Sequence, residues 1–464
     1  MSQNIKNIFS YTISRYISSV LMVLRYGIIA KYLGPYYLGV WGVVKLFSEY
    51  ATYSSVGVAY SVNKRVALSA DDGDKGGGYV RSGLFVLIVC ALVLVLVAAA
   101  ASVLARDFYV KYNLYKYFIS ISLIAVTENF RRFFESVLRG LGQIVVISRL
   151  SVAHSVIALV TVIFFIKYNI MGLVASTFLS AFWVTMVSYF KLGRPLPCLG
   201  GWRIKRELVV NGMFLMLYNL LTFFLLSIDR VFVSQYYSVE SMGQYSFNYN
   251  VSFFVLLAMG SVGYVLYPVA LKKLSFYNSI QYELEVSLKY NVLFVFVVYL
   301  VAIGFPVLYR VLPAYSGSLA VLRLILLSSA MMAPVYMINI YFISRNFEKS
   351  LNVLLLVAIV LSLVLNCIVV LLGLDYQYVA VATAIAVAGY VGLTIVKYYR
   401  IVGQKVTVAS LVARLKVVGI LFFSVGMEMI WGHAYALLVG FIVFVWISRK
   451  ELTEIYFLAK QVKI

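Results

Sequence analysis

Cysteine, histidine and acidic side chains are all scarce in this 464-residue chain, and each shortage closes off a class of function. The three cysteines, Cys90, Cys198 and Cys367, fall in a helical stretch, a loop and a distant second helical stretch, so they form neither a disulfide framework nor a thiolate metal site. The two histidines, His154 and His433, stand alone, and a lone histidine in an apolar helix is more often a packing or helix-end residue than a ligand. No metal and no cofactor is therefore expected. Nucleotide-binding signatures are missing too: neither GxxxxGKS/T nor a GxGxxG between strand and helix occurs. The glycine run with acids, Asp71-Asp72-Gly73-Asp74-Lys75-Gly76-Gly77-Gly78, reads as part of a solvated cytoplasmic loop from Asn63 to Arg81. Transport, if that is the activity, would run on a gradient, a potential or mass action. A cleavable signal peptide is not expected, because the first apolar stretch is long, polar-striped and followed at once by another span.

What is present in excess is apolar residue and positive charge. At 63% hydrophobic and 12% charged, the chain reads as an all-α integral membrane protein. Spans of bilayer length are expected at about 10–31, 36–60, 82–105, 114–134, 149–167, 170–190, 211–233, 243–268, 289–308, 317–343, 351–372, 376–396, 415–431 and 434–448, giving about 12–14 helices. The 39 Lys and Arg against 17 Asp and Glu give a net charge of +22, a value that could suggest nucleic acid. Their placement argues otherwise. With the N-terminus cytoplasmic, about 28 cations lie on the cytoplasmic side, about 6 outside and about 5 within spans, so the excess is a topology signal. Both termini are then cytoplasmic, anionic lipid headgroups are the natural partner, and no nucleic acid is expected.

The stretch Tyr11–Tyr60 carries ionised groups where a membrane helix should carry none. One helix runs through Arg15 and Arg25 to a turn at Tyr32-Leu33-Gly34-Pro35-Tyr36, and a second returns through Lys45 and Glu49. A charge at the bilayer centre costs about 2.5–3.5 kcal/mol on insertion scales, so these groups must face protein or water. Tyr11, Arg15, Ser18, Met22 and Arg25 share one helical stripe, and Trp41, Lys45, Ser48, Glu49 and Thr52 another, as in two staves lining a common cavity. The plainer reading makes Lys45 and Glu49 an i, i+4 ion pair and lets the arginines snorkel to the interface. In the fourth span Glu128, Arg131, Arg132 and Glu135 form a charged stripe, and Glu128 is either a proton or cation site or a partner for the cavity arginines.

The pattern then restarts. A shift of 204 residues carries Tyr32 onto Tyr236, Gly39 onto Gly243, Trp41 onto Tyr245 and Arg25 onto Asp229, beside Arg230. Such a parallel repeat builds a central site between two six-helix lobes related by a pseudo-two-fold axis along the membrane normal. The expected division is residues 1–190 for the first lobe, 191–210 for a cytoplasmic linker, 211–400 for the second lobe, and 411–464 for an extra transmembrane hairpin and tail. Within the second half, 271–290 alternates charge and apolar residues like an amphipathic helix lying on the membrane. Pro306 and Pro313 flank an external loop, Pro334 kinks its helix, and Arg323 and Glu428 lie near the outer interface.

Three segments carry a family resemblance: IIAKYLGPYYLGVWGVVKLFSEYATYSSVGV at 28–58, SIDRVFVSQYYSVESMGQYSFNYNVSFFVLLAMGSVGYVLYPVALKK at 227–273, and YRVLPAYSGSLAVLRLILLSSAMMAPVYMINIYFIS at 309–344. They resemble the polysaccharide-transporter branch of the multidrug/oligosaccharidyl-lipid/polysaccharide (MOP) superfamily, and within it the Wzx-type O-antigen flippases of bacterial inner membranes. The resemblance covers nearly the whole chain. It implies alternating access that moves an undecaprenyl-diphosphate-linked oligosaccharide from the cytoplasmic to the periplasmic leaflet. By position, Arg15, Arg25 and Arg230 match the cavity arginines that bind the diphosphate, and Asp229 matches an acid of the seventh helix. Lys45 and Glu49 rest on the helical-stripe argument alone.

The reading that joins these strands is a monomeric flippase, not an enzyme, without cofactor, working with other polysaccharide-assembly proteins. Arg15, Arg25, Lys45 and Arg230 would hold the substrate, while Glu49, Glu128 and Asp229 would couple to H⁺ or Na⁺ or balance charge. Two alternatives remain open. A multidrug antiporter would place unpaired carboxylates in its cavity, and a glycan polymerase or glycosyltransferase would need a large external loop or an exposed catalytic acid.

Overall fold

The computed structural model describes residues 3–69, 73–199, 201–253, 255–256, 280–345, 347–404, 408–431 and 435–462, and no strand occurs among them. His433 and residues 257–279 lie outside the described residues. The chain forms two compact units, Ser2–Phe223 with Tyr237–Ser246, and Phe224–Tyr236 with Phe247–Ile464.

The first unit opens with α1 (Gln3–Ala51), which is not one continuous rod. Gly34 sits at φ 72°, ψ 177°, outside the helical region, and Pro35 follows, so the helix breaks into two arms. Glycine adopts this backbone without a Cβ clash, and proline then starts the next helix from a preset φ. After α1 come α2 (Val58–Leu68), α3 (Gly73–Leu104), α4 (Phe118–Gly140), α5 (Ile144–Phe165), α6 (Asn169–Lys191) and α7 (Trp202–Leu225). α1 packs chiefly on α5, and also on α4 and α6; α2 packs on α3 and α4. The apolar cluster that fixes α2, α3, α4 and α7 together is built from Val58, Val62, Val66, Val80, Leu84, Leu87, Phe133, Phe134, Val137 and Leu208.

α7 meets the start of α2 through paired glycines. A Cβ on Gly57 would lie 2.3 Å from the Gly212 carbonyl oxygen, and one on Gly212 2.3 Å from that of Gly57. Ser61 Oγ donates to the Leu208 carbonyl at 2.6 Å, Tyr53 to that of Asn219 at 3.2 Å, and Arg65 pairs with Glu207.

The second unit holds α8 (Ile228–Tyr236), α10 (Ile280–Gly304), α11 (Pro306–Val311), α12 (Leu319–Met331), α13 (Tyr336–Ser344), α14 (Glu348–Leu371), α15 (Gln377–Val402), α16 (Val408–Trp431), α17 (Tyr435–Ile447) and α18 (Arg449–Val462). The helix at 239–253, α9, divides between the units at Ser246.

Among the described residues, eight helical stretches are long and apolar enough to cross a membrane. Two of them, Ile13–Ser55 and Ile144–Lys191, run 43 and 48 residues, enough for two crossings each, broken at Gly34 and at Ile166–Tyr168. α4 is excluded by its own charges. The protein is a multi-pass, all-α membrane protein.

Several local expectations are corrected. The Asn63–Arg81 loop is mostly helix, because α2 runs to Leu68 and α3 starts at Gly73, with the long apolar run propagating helix back through the glycines. α7 begins at Trp202, well before the expected 211, and the span ends at Leu225 before α8 restarts at Ile228. Residues 280–290 continue directly into α10 instead of lying apart as a surface helix. Pro306 and Pro313 each open a helical turn in place of a loop, since proline suits the first position of a helix. Pro334 does interrupt its helix, as a 3-10 turn at Ala333–Val335 between α12 and α13.

Candidate functional site

In the first unit, α1 packs on α4, α5 and α6 and brings Arg25 against α6. Arg25 is 5% exposed, and its Nη2 donates to Thr177 Oγ1 at 2.9 Å and Ser176 Oγ at 3.3 Å on α6. Ser176 is itself held, by the Ala158 carbonyl at 3.1 Å and Thr161 Oγ1 at 2.9 Å. Arg25 Nε has no protein partner, and no carboxylate contacts the guanidinium among the described residues. A buried cation compensated only by hydroxyl dipoles is costly to hold, and it retains a strong attraction for an anion. Arg15 lies on the same arm, ten residues earlier and partly exposed.

The remaining cations near Arg25 are already paired. Lys45 and Glu49 stand 3.9 Å apart, the loose i, i+4 pair of the plainer reading. Arg131 bridges two acids: its Nε donates to Glu128 Oε2 at 2.9 Å, and Nη1 contacts Glu135. Arg132 reaches Glu128 Oε1 and Thr52 Oγ1, both at 3.3 Å. Glu128 thus serves as partner to its own helix neighbours rather than to the first-helix arginines.

His154 on α5 belongs to this cluster, with Arg131, Glu128, Arg25 and Lys45 as electrostatic neighbours. Taken from sequence alone it is a packing residue. The signal that could have found it is the polar stripe of α5, where Ser148, Ser151 and Ser155 recur at helical spacing beside it and Ser151 meets Ser18 of α1 at 3.3 Å.

In the second unit, Asp229 and Arg230 are 3% and 4% exposed at the start of α8. Asp229 Oδ1 accepts the Arg230 backbone N–H at 2.7 Å, and the Arg230 guanidinium carbon lies 3.5 Å from the Tyr249 ring centroid, a close cation–π contact. Asp229 also lines a cavity of about 20 Å³ with Tyr249, Ser252, Ser328, Ser329 and Thr383. Ser328 and Ser329 donate to carbonyls of their own helix, which leaves oxygen lone pairs for the cavity, and Ser252 and Thr383 hydroxyls have no protein partner. Such a volume holds about one water or one small cation.

Two ion pairs are buried within the second unit. Arg414 and Glu283 are fully buried and doubly bonded, with Nη1 to Oε1 at 2.9 Å, and Tyr399 Oη accepts from Arg414 Nε at 3.3 Å. Arg323 pairs with Glu428, so neither stands alone at the interface as the sequence suggests; each offsets the other's desolvation.

A helical membrane chain with cations buried in its first helix restricts the families it can join, and sequence comparison decides among them. A profile of the family described as polysaccharide biosynthesis protein matches residues 5–274, more than half of the chain. The protein belongs to that family. No curated protein matches this polysaccharide biosynthesis family member in sequence. Its fold is similar to the inward-facing structure of a multidrug resistance MATE family transporter of the MOP superfamily, with TM-score 0.69 and 14% identity over 84% of this chain and 98% of the other. It is also similar to a MOP superfamily transporter from Pyrococcus furiosus whose binding pocket is described as of reverse polarity, with TM-score 0.64 and 15% identity over 87% and 96%. The outward-facing form of a MATE family transporter matches with TM-score 0.64 and 15% identity over 87% and 97%. The fold of this polysaccharide biosynthesis family member is therefore the all-α fold of those transporters.

Proposed function

We propose that this transporter flips an undecaprenyl-diphosphate-linked oligosaccharide, the repeat unit of O-antigen or a related surface polysaccharide, from the cytoplasmic to the periplasmic leaflet of a bacterial inner membrane. Both termini are cytoplasmic in this reading, and the protein works as a monomer alongside other polysaccharide-assembly proteins. The observation that carries it is Arg25: among the described residues, a buried guanidinium without a carboxylate partner, held by Ser176 and Thr177 and with its Nε left without a protein partner. A diphosphate presents the bidentate oxygen pairs that a guanidinium recognises. Arg15 lies on the same helix arm and Arg230 on the other repeat, and both would add charge along the path; Lys45, loosely tied to Glu49, would exchange partners more easily than Arg131.

Coupling belongs to Asp229. Its carboxylate and the four hydroxyls around the small cavity are the donor set of a Na⁺ or proton site, whereas Glu128 and Glu49 are committed to neighbouring cations. The test is mass spectrometry of lipid extracts from host cells with and without the protein. A complete lipid-linked repeat unit should accumulate on loss, confined to the cytoplasmic leaflet. If none accumulates, the flippase reading is wrong.

A further inference from the structure

Three membrane spans of the first unit end near one another in sequence and in space. The apolar span of α3 begins at Gly76, the one that covers α5 and α6 closes at Lys191, and that of α7 begins at Trp202, so these ends lie at the level of a membrane surface. A cavity of about 620 Å³ opens among them, lined by the ends of α2, α3 and α4 and by the connection from α6 to α7. Ligand sites commonly measure about 300–1,000 Å³. Its floor is apolar, because Val66, Val80 and Val137 are buried members of the cluster that joins α2, α3, α4 and α7.

Two arginines give the cavity its sign. Arg81 of α3 and Arg194 of the connection both line it, and no carboxylate does among the described residues. The wall that carries Arg194 is fastened in place. The Cys198 backbone N–H donates to the Arg81 carbonyl at 3.2 Å, and the Arg194 guanidinium carbon lies 4.9 Å from the Phe190 ring centroid. Buried Lys205 donates from Nζ to the Leu199 carbonyl at 2.6 Å and sits 3.7 Å from the Phe85 ring centroid. Lys205 thus secures the wall, while Arg81 and Arg194 stay exposed and available to an anion.

The rim indicates which kind of anion. Leu196 and Leu199 on the connection and Trp202 at the start of α7 are 71%, 84% and 76% exposed. Large apolar side chains beside arginines at the end of membrane spans suit the boundary between headgroups and acyl chains. A soluble phosphate gains nothing from that rim or from the valine floor. A phospholipid gains from both, with its phosphate on the guanidinium forks and its glycerol and first methylenes against the apolar walls.

We propose that this cavity is a binding site for the phosphate-bearing headgroup of an anionic phospholipid, with Arg81 and Arg194 on the phosphate, and that the bound lipid fastens the α6–α7 connection to the ends of α3 and α4. The site rests on the membrane fold and not on the identity of the cargo, so an absence of lipid-linked glycan from the extracts would leave it standing. The test uses the full chain in a neutral detergent with Cys90→Ala and Cys367→Ala, which leaves Cys198, in the cavity lining, as the remaining thiol. Added phosphatidylglycerol should slow maleimide labelling of Cys198 several-fold, and native mass spectrometry should show one such lipid retained at concentrations where phosphatidylcholine is not. Arg81→Gln with Arg194→Gln should abolish both effects, and Arg81→Lys with Arg194→Lys should keep part of them, since the charge remains and the fork is lost. The comparison of the two lipids on the unsubstituted arginines needs no variant and decides alone if the double variant fails to insert. Equal retention of both lipids, or protection that survives in the glutamine variant, would overturn the site. Protection by inorganic phosphate at the same concentration would overturn the lipid as its occupant.

Discussion

Replacing Arg25 with methionine separates binding from stability more cleanly than any other substitution in the chain. The guanidinium spends Nη2 on Thr177 and Ser176, and its buried Nε has no protein partner. Two charge-assisted hydrogen bonds to diphosphate oxygens contribute about 1.5–3 kcal/mol each. Their loss should therefore weaken cargo binding by about 10²- to 10⁴-fold. Stability should move the other way or not at all, because no carboxylate is orphaned and Ser176 keeps its bonds to Ala158 and Thr161. Arg25→Lys should recover part of the binding, since an ammonium supplies the charge but not the fork. Thr177→Val should cost less than Arg25→Met, by loosening the guanidinium while keeping its charge. The assay is leaflet-resolved mass spectrometry of the lipid-linked glycan, with immunoblotting of inserted protein and a melting curve in detergent. Wild-type flipping in Arg25→Met, or loss of flipping only in step with loss of inserted protein, would refute the reasoning.

Arg131→Met should behave in the opposite way: it leaves Glu128 and Glu135 without their shared partner, so inserted protein should fall, as blotting would reveal, with a cost of up to about 3–5 kcal/mol. Arg414→Met should lower the melting temperature sharply by stranding buried Glu283, while the double change Arg414→Met with Glu283→Gln should recover most of it; equal losses in single and double variants would mean that the pair is not the source. Asp229→Asn and Thr383→Val should each remove the dependence of flipping on a Na⁺ or proton gradient in proteoliposomes, and unchanged ion dependence in both would move coupling elsewhere.

The parts of this protein legible in its sequence are those set by near neighbours. Gly34 with Pro35 announces the break in α1, Pro334 the interruption after α12, and the i, i+4 spacing the pair Lys45 and Glu49, whereas Glu128, open in sequence to two other roles, turns to Arg131 on its own helix. The helical class and the family follow from apolar run lengths and loose motifs in the same way. What stays hidden depends on partners far along the chain. Ser176 and Thr177 stand 151 and 152 residues from Arg25, and Glu283 stands 131 from Arg414, so no local pattern links them. His154 shows the intermediate case. Its stripe is local, but the charges that give the stripe meaning come from α1 and α4.

The two buried ion pairs on α16 also bear on how the chain is made. Arg414 and Glu428 lie fourteen residues apart, about 21 Å of helix rise, and their partners Glu283 and Arg323 belong to α10 and α12. During synthesis α10 and α12 therefore reach the membrane carrying one acid and one base whose counter-charges have not yet been translated. Until α16 arrives, the nascent protein holds two unmatched charges, which favours retention by the insertion machinery or by chaperones over release into lipid. A chain that stops after α15 would keep both unmatched, so truncation there should lower the amount of inserted protein.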